Sequence, residues 1–198
     1  MTIIRKNTGG IFISPTYKLA YINSAKAACT TLRYVMGKLE NPDIDPQITM
    51  VDLDPYLIRD DGIYNNPDYK LFTVCRNPYS RAVSYYRYQH KPKNGIFKDM
   101  TFEDYIRMID NTHPRHLNRH NCTQWDNLHM DKVDVLLHLE NFEEELRKEI
   151  LDPIGVDIPI PKRKDGGQYD YRSYYNDYTK SVVERLYSID FKNLGYKW

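Results

Sequence analysis

Twice in this chain a short apolar run gives way to basic and hydroxyl residues and then to a helical pattern. This repeated junction restricts the fold more than any other feature. The first reads Leu19-Ala20-Tyr21-Ile22-Asn23-Ser24-Ala25-Lys26-Ala27-Ala28-Cys29-Thr30-Thr31-Leu32-Arg33. The second reads Leu71-Phe72-Thr73-Val74-Cys75-Arg76-Asn77-Pro78-Tyr79-Ser80-Arg81-Ala82-Val83-Ser84. Strands alternating with helices indicate an α/β fold on a mainly parallel sheet. A helix start offers unpaired N–H groups and a partial positive charge, which suit phosphate oxygens. Two such starts suggest a ligand with two phosphate groups.

The rest of the chain fits one domain, 1–198, with three layers: a central, mainly parallel sheet flanked by helices. Runs at 11–14 and 19–22 read as strands joined by a turn at 15–18. A helix is expected over 28–36, closed by Gly37 as its C-terminal cap. A short helix is expected within 50–59. The best strand is 70–75, and Pro78 suits the first turn of a helix that runs to about 90. Thr101 and Asp104 have capping-box spacing ahead of another helix. A polar, irregular stretch at 113–128 precedes a strand at 133–138, and Asn141 should cap a helix over 142–150. A Pro- and Gly-rich loop at 151–167 leads to a last helix at 179–188.

Composition excludes several classes. With 28 basic and 27 acidic residues, net charge gives no support to a nucleic-acid or membrane-surface role. Three cysteines without paired spacing argue against a disulfide framework, and no Cys/His cluster suggests a metal. The chain's first residues lack the apolar core of a signal peptide, and no apolar stretch reaches membrane-spanning length. A cytoplasmic protein is the expectation. The 18 tyrosines suit half-buried packing, and some could line a nucleotide or sugar site.

At the first junction small residues would let backbone N–H groups approach a phosphate. Thr30 and Thr31 add hydroxyls, and Lys26 adds a charge. The glycines of a triphosphate-wrapping loop are absent. At the second junction Arg76 ends the strand, while Arg81 and Ser84 share a helix face. Arginine grips phosphate through two parallel bonds. Cys75 and Arg81 also have the spacing of a cysteine-dependent phosphatase loop, in which a thiolate attacks phosphorus. That reading lacks the loop's usual His, glycines and following hydroxyl, since Val74 and Ala82 stand at the flanking positions.

Taken in order, these segments resemble a known family. Ala25-Lys26-Ala27-Ala28-Cys29-Thr30-Thr31 is similar to the 5′-phosphosulfate loop of the carbohydrate-type sulfotransferases. The segment from Cys75 to Ser84 is similar to their 3′-phosphate motif, an Arg-Asx-Pro followed by Arg and Ser. Leu137-His138-Leu139-Glu140-Asn141-Phe142 resembles their strand ending in Glu-Asn, and Tyr187-Ser188-Ile189-Asp190-Phe191 with Gly195-Tyr196 resembles their C-terminal ending.

The resemblance implies a P-loop-kinase-like fold and a co-substrate, 3′-phosphoadenosine 5′-phosphosulfate. Sulfonate would pass to a hydroxyl or amine of a carbohydrate or small molecule, releasing 3′-phosphoadenosine 5′-phosphate, with no metal and no nucleic acid involved. It implies that Lys26 stabilises the leaving phosphate and that Ala27, Ala28, Cys29, Thr30 and Thr31 hold the 5′-phosphate. Arg76 and Ser84 would hold the 3′-phosphate. Lys162, Arg163 and Lys164 stand where the family closes over the nucleotide. His120, followed by Gln124, is the nearest match to a base, with His116 and Glu103 as alternatives; a histidine titrating near neutrality suits that task. A non-catalytic nucleotide-binding module on the same fold is the other reading.

Overall fold

The structure, a computed structural model, describes residues 10–44, 57–58, 61–90, 95–161 and 169–198. In chain order its strands and helices are β1 (Ile11–Ser14), β2 (Leu19–Ile22), α1 (Cys29–Glu40), β3 (Leu57–Ile58), β4 (Lys70–Cys75), α2 (Pro78–Gln89), α3 (Phe102–Asp110), α4 (Gln124–Asn127), β5 (Val135–His138), α5 (Phe142–Leu146), α6 (Asp177–Leu186) and α7 (Ser188–Leu194). The chain divides into two units, 1–75 with 126–163 and 76–125 with 164–198.

The first unit is an α/β sheet flanked by helices. Among the described residues its strands run in the order β3-β1-β2-β4-β5. β2, β4 and β5 are parallel, with Ala20 opposite Leu71 and Thr73 opposite Leu136. β1 is antiparallel to both of its neighbours. The turn at 15–18 is too short for the crossover that parallel pairing needs, so β1 and β2 form a hairpin. All four residues of β2 are buried, as expected of a central strand covered on both faces. Around it pack Leu32, Met36, Phe72, Val74 and Leu137, each fully buried. Each such side chain contributes about 1.5–3 kcal/mol.

Three local expectations are corrected. α1 does not stop at Gly37 but continues to Glu40 and ends at an extended Asn41. Val35, Met36 and Leu39 keep the buried face going, and this outweighs the roughly 1 kcal/mol that glycine costs inside a helix. The Glu40 carboxylate then accepts bonds from Thr16 N at 3.2 Å and Thr16 Oγ1 at 2.9 Å, tying the helix end to the β1–β2 turn. Residues 57 and 58 are strand rather than helix because they pair with β1; the rest of 50–59 lies outside the described residues. Asn141 precedes α5 without a side-chain cap, and α5 passes into a π-helical turn at Arg147–Leu151.

The second unit is helical and built on tyrosine. Tyr79, Tyr85, Tyr86, Tyr105 and Tyr187 are buried with Val83, Ile106, Ile109 and Val183. Tyr79 packs against Tyr175 at 5.3 Å, Phe191 at 4.8 Å and Trp198 at 4.7 Å, and donates to Glu184 at 2.6 Å. Tyr86 donates to Met100 O at 2.8 Å. Each ring fills the core while its hydroxyl finds an acceptor, so much of the tyrosine enrichment is packing. Asn77 caps α2 by accepting from Tyr79 N, with Pro78 at the first helical position. Thr101 and Asp104 form the expected capping box. α6 starts at Asp177, earlier than expected, because Asn176 and Thr179 form a second box. α7 extends the C-terminal end as a helix closed by Gly195 in the left-handed conformation.

Candidate active site

The first junction is strained where the motif lies. Tyr21 Oη accepts from Ser24 N at 3.2 Å and so pins the start of the loop. Lys26 and Ala28 then adopt left-handed φ angles of 66° and 52°. Each such residue costs about 1–2 kcal/mol when it is not glycine. Strain of this kind gathers at ligand-binding loops. α1 begins at Cys29 with no side-chain cap and no acidic residue in its first turn. The first intrahelical bond runs from Leu32 N to Ala28 O at 2.9 Å. The amides of Cys29, Thr30 and Thr31 therefore head the helix without an intrahelical acceptor. Ala27 and Thr31 are buried, and Lys26, Ala28, Cys29 and Thr30 are half-buried. Ser24 Oγ is buried and has no hydrogen-bond partner among the described residues. This loop can hold an anion on backbone donors, with a lysine beside it.

The second junction is built from paired groups. Arg76 Nε donates to Ser80 Oγ at 2.8 Å and Nη2 to Tyr169 Oη at 3.0 Å. Its main chain is bonded on both sides by one side chain: Arg76 N donates to Gln124 Oε1 at 3.0 Å, and Gln124 Nε2 donates to Arg76 O at 2.8 Å. Ser84 lies half-buried on α2. Arg81, predicted to share an anion-binding face with Ser84, has a different task. It is buried, and donates to Cys122 O at 2.8 Å and Arg119 O at 3.0 Å.

Arg81 thereby braces the polar stretch that carries His120. Tyr187 donates to Asn121 O at 3.0 Å and Tyr105 to Asn121 Oδ1 at 2.8 Å. The His120 ring lies flat on Tyr85, with centroids 4.6 Å apart and planes 5° apart. Asp190 completes the brace: its carboxylate accepts from Gln124 N and Trp125 N, both at 2.8 Å. Burial raises the Asp190 pKa, opposed by those two amide bonds and by the nearby Arg81 charge. The C-terminal Tyr187/Asp190 motif is thus what holds the 119–125 segment in place. The sequence marks that motif without indicating this role, and marks Gln124 only by its spacing from His120.

Lys162, Arg163 and Lys164 lie outside the described residues. The two alternative bases are both in the second unit: His116 is exposed, and the Glu103 carboxylate is engaged with Arg107 and Asn176, bonds that lower its pKa. The phosphatase alternative finds little support. Cys75 is fully buried at the end of β4, and the Arg81 guanidinium is spent on main-chain carbonyls. That chemistry needs an accessible thiolate and a guanidinium fork turned to the phosphoryl oxygens. Among the described residues no group of three or more metal-ligating side chains occurs, and no helix is long and apolar enough to cross a membrane.

The sheet is mixed α/β, and its parallel strands β2 and β4 lead into an uncapped helix start and a braced arginine. Comparison with protein families narrows this. Residues 9–197 match the sulfotransferase family, and the chain belongs to that family. Comparison with curated proteins and with solved structures returned no match.

Proposed function

We propose that this protein moves a sulfonate group from 3′-phosphoadenosine 5′-phosphosulfate to a hydroxyl, or an amine, of a carbohydrate or small-molecule acceptor. The observation that carries the reading is the strained, uncapped loop at 25–31, which presents backbone donors beside Lys26. Family membership, which extends across both units, supports treating the whole chain as one functional domain. In this reading Ala27 to Thr31 hold the 5′-phosphate, while Arg76 and Ser84 hold the 3′-phosphate. The acceptor oxygen attacks sulfur in line, and its proton passes to His120. The bond from sulfur to the bridging oxygen breaks, and 3′-phosphoadenosine 5′-phosphate leaves. Charge builds on that oxygen as the bond lengthens, so a fixed cation there lowers the barrier. Lys26 is assigned that task.

Thermal unfolding with the product nucleotide tests the reading. A ligand that binds only the native state, at 100 times its Kd, stabilises it by about 2.7 kcal/mol. The expected result is a concentration-dependent rise in Tm with 3′-phosphoadenosine 5′-phosphate. No rise at millimolar nucleotide contradicts the proposal.

A further inference from the structure

We infer that Gln124 is a positioning residue for the nucleotide site. Its side-chain amide, on a backbone held by Asp190, sets the orientation of the Arg76 main chain and so aims the guanidinium at the 3′-phosphate. This rests on the function proposed above.

Arg76 stands between two ordered elements. The parallel pairing of β4 with β5 ends at Cys75, opposite His138. The next helix is capped from Asn77. At that junction the Gln124 side chain is a partner of the Arg76 backbone. Its carbonyl accepts from Arg76 N at 3.0 Å and its amide donates to Arg76 O at 2.8 Å, as a neighbouring strand would. Two bonds on opposite sides of one residue fix the direction of its backbone, which a single bond would not.

Gln124 is itself held. It is 1% exposed. Its main-chain N–H and that of Trp125 both donate to the Asp190 carboxylate at 2.8 Å, and Asp190 is fully buried in α7. The remaining freedom of Arg76 is in its side chain, which Ser80 Oγ and Tyr169 Oη steer at 2.8 and 3.0 Å. Arginine owes its discrimination among anions to a rigid planar fork, so its value depends on where the fork is aimed. A binding group displaced by about 1 Å loses much of its effect.

The test compares two nucleotides that differ only in the 3′-phosphate: 3′-phosphoadenosine 5′-phosphate and adenosine 5′-phosphate. Affinities are measured by calorimetry on the full chain. Gln124→Met keeps length and removes both bonds; Gln124→Glu keeps the acceptor and removes the donor. The inference predicts that Gln124→Met weakens the 3′-phosphorylated nucleotide about tenfold or more and leaves adenosine 5′-phosphate unchanged, with Gln124→Glu between it and the wild type. A purely structural role would lower Tm and leave the ratio of the two affinities untouched. That result, in either folded variant, overturns the inference while the functional reading stands. Wild-type protein that binds neither nucleotide overturns the functional reading, and this inference with it. If Gln124→Met does not fold, Gln124→Glu decides alone: an unchanged ratio overturns the inference, and a reduced one supports it.

Discussion

At 25–31 the backbone is bent into two left-handed residues and the helix start has no cap, whereas at Arg76 the backbone is tied on both sides and the side chain already has partners. The first junction holds its donors in a conformation that the isolated sequence disfavours. The second holds one cation through hydrogen bonds from Gln124, whose backbone is held in turn by the buried Asp190. In the proposed function both arrangements preorganise an anion site, but by different means. A loop that turns amides toward an anion bends its backbone to do so, and the surrounding fold supplies the energy that keeps it bent. An arginine that reads one phosphate needs aim rather than exposure, and aim comes from paired neighbours.

The largest expected effect breaks the comparison at the first junction. Lys26→Ala should lower kcat by about 100- to 1000-fold, the usual consequence of removing one transition-state donor, with little change in product-nucleotide affinity. A parallel loss of affinity and turnover, seen by single-turnover kinetics and calorimetry, would remove its proposed role. Next in size, Arg76→Ala should weaken nucleotide binding by about 1.5–3 kcal/mol, the worth of hydrogen bonds to a charged group. Unchanged affinity would contradict that assignment.

A smaller effect concerns acid. Burial raises the native pKa of Asp190 above its unfolded value, so in that window the native state binds more protons than the unfolded chain. Its contribution to stability is greatest below the ordinary aspartate range, falls as pH rises through the raised native value, and is then constant. Denaturant unfolding across the acid range should show that this falling component is present in the wild type and missing in Asp190→Asn. An identical pH dependence in the two proteins would refute it. The smallest effect is Ala28→Gly, which removes left-handed strain but adds chain entropy. It should raise stability by about 0.5 kcal/mol net, read from the urea midpoint. A loss of stability would show that Ala28 is not strained.

Much of this was readable in the sequence where the signal was local. Both junctions, the strands around them and the Thr101–Asp104 box follow from short runs of residues whose preferences agree with their place in the fold. The antiparallel pairing of β3 with β1 depends on long-range contact and left no local mark. Gly37 misled because burial of Val35, Met36 and Leu39 outweighed its preference for a helix end. At the candidate site the local spacing was legible, but the bonding was not. Arg81 and Ser84 share spacing on α2, yet Arg81 turns to the carbonyls of Arg119 and Cys122, about 40 positions away in the chain. Gln124 and Asp190 are 66 residues apart, and only the folded chain brings them together.

The proposed task of the second junction is to read the 3′-phosphate. The most direct measurement is the ratio of affinities for 3′-phosphoadenosine 5′-phosphate and adenosine 5′-phosphate, in wild type and in Arg76→Ala. A preference of about tenfold or more in the wild type that collapses toward one in Arg76→Ala is the predicted result, because one charge-assisted contact is worth about that much. A preference that survives the substitution unchanged would contradict the account.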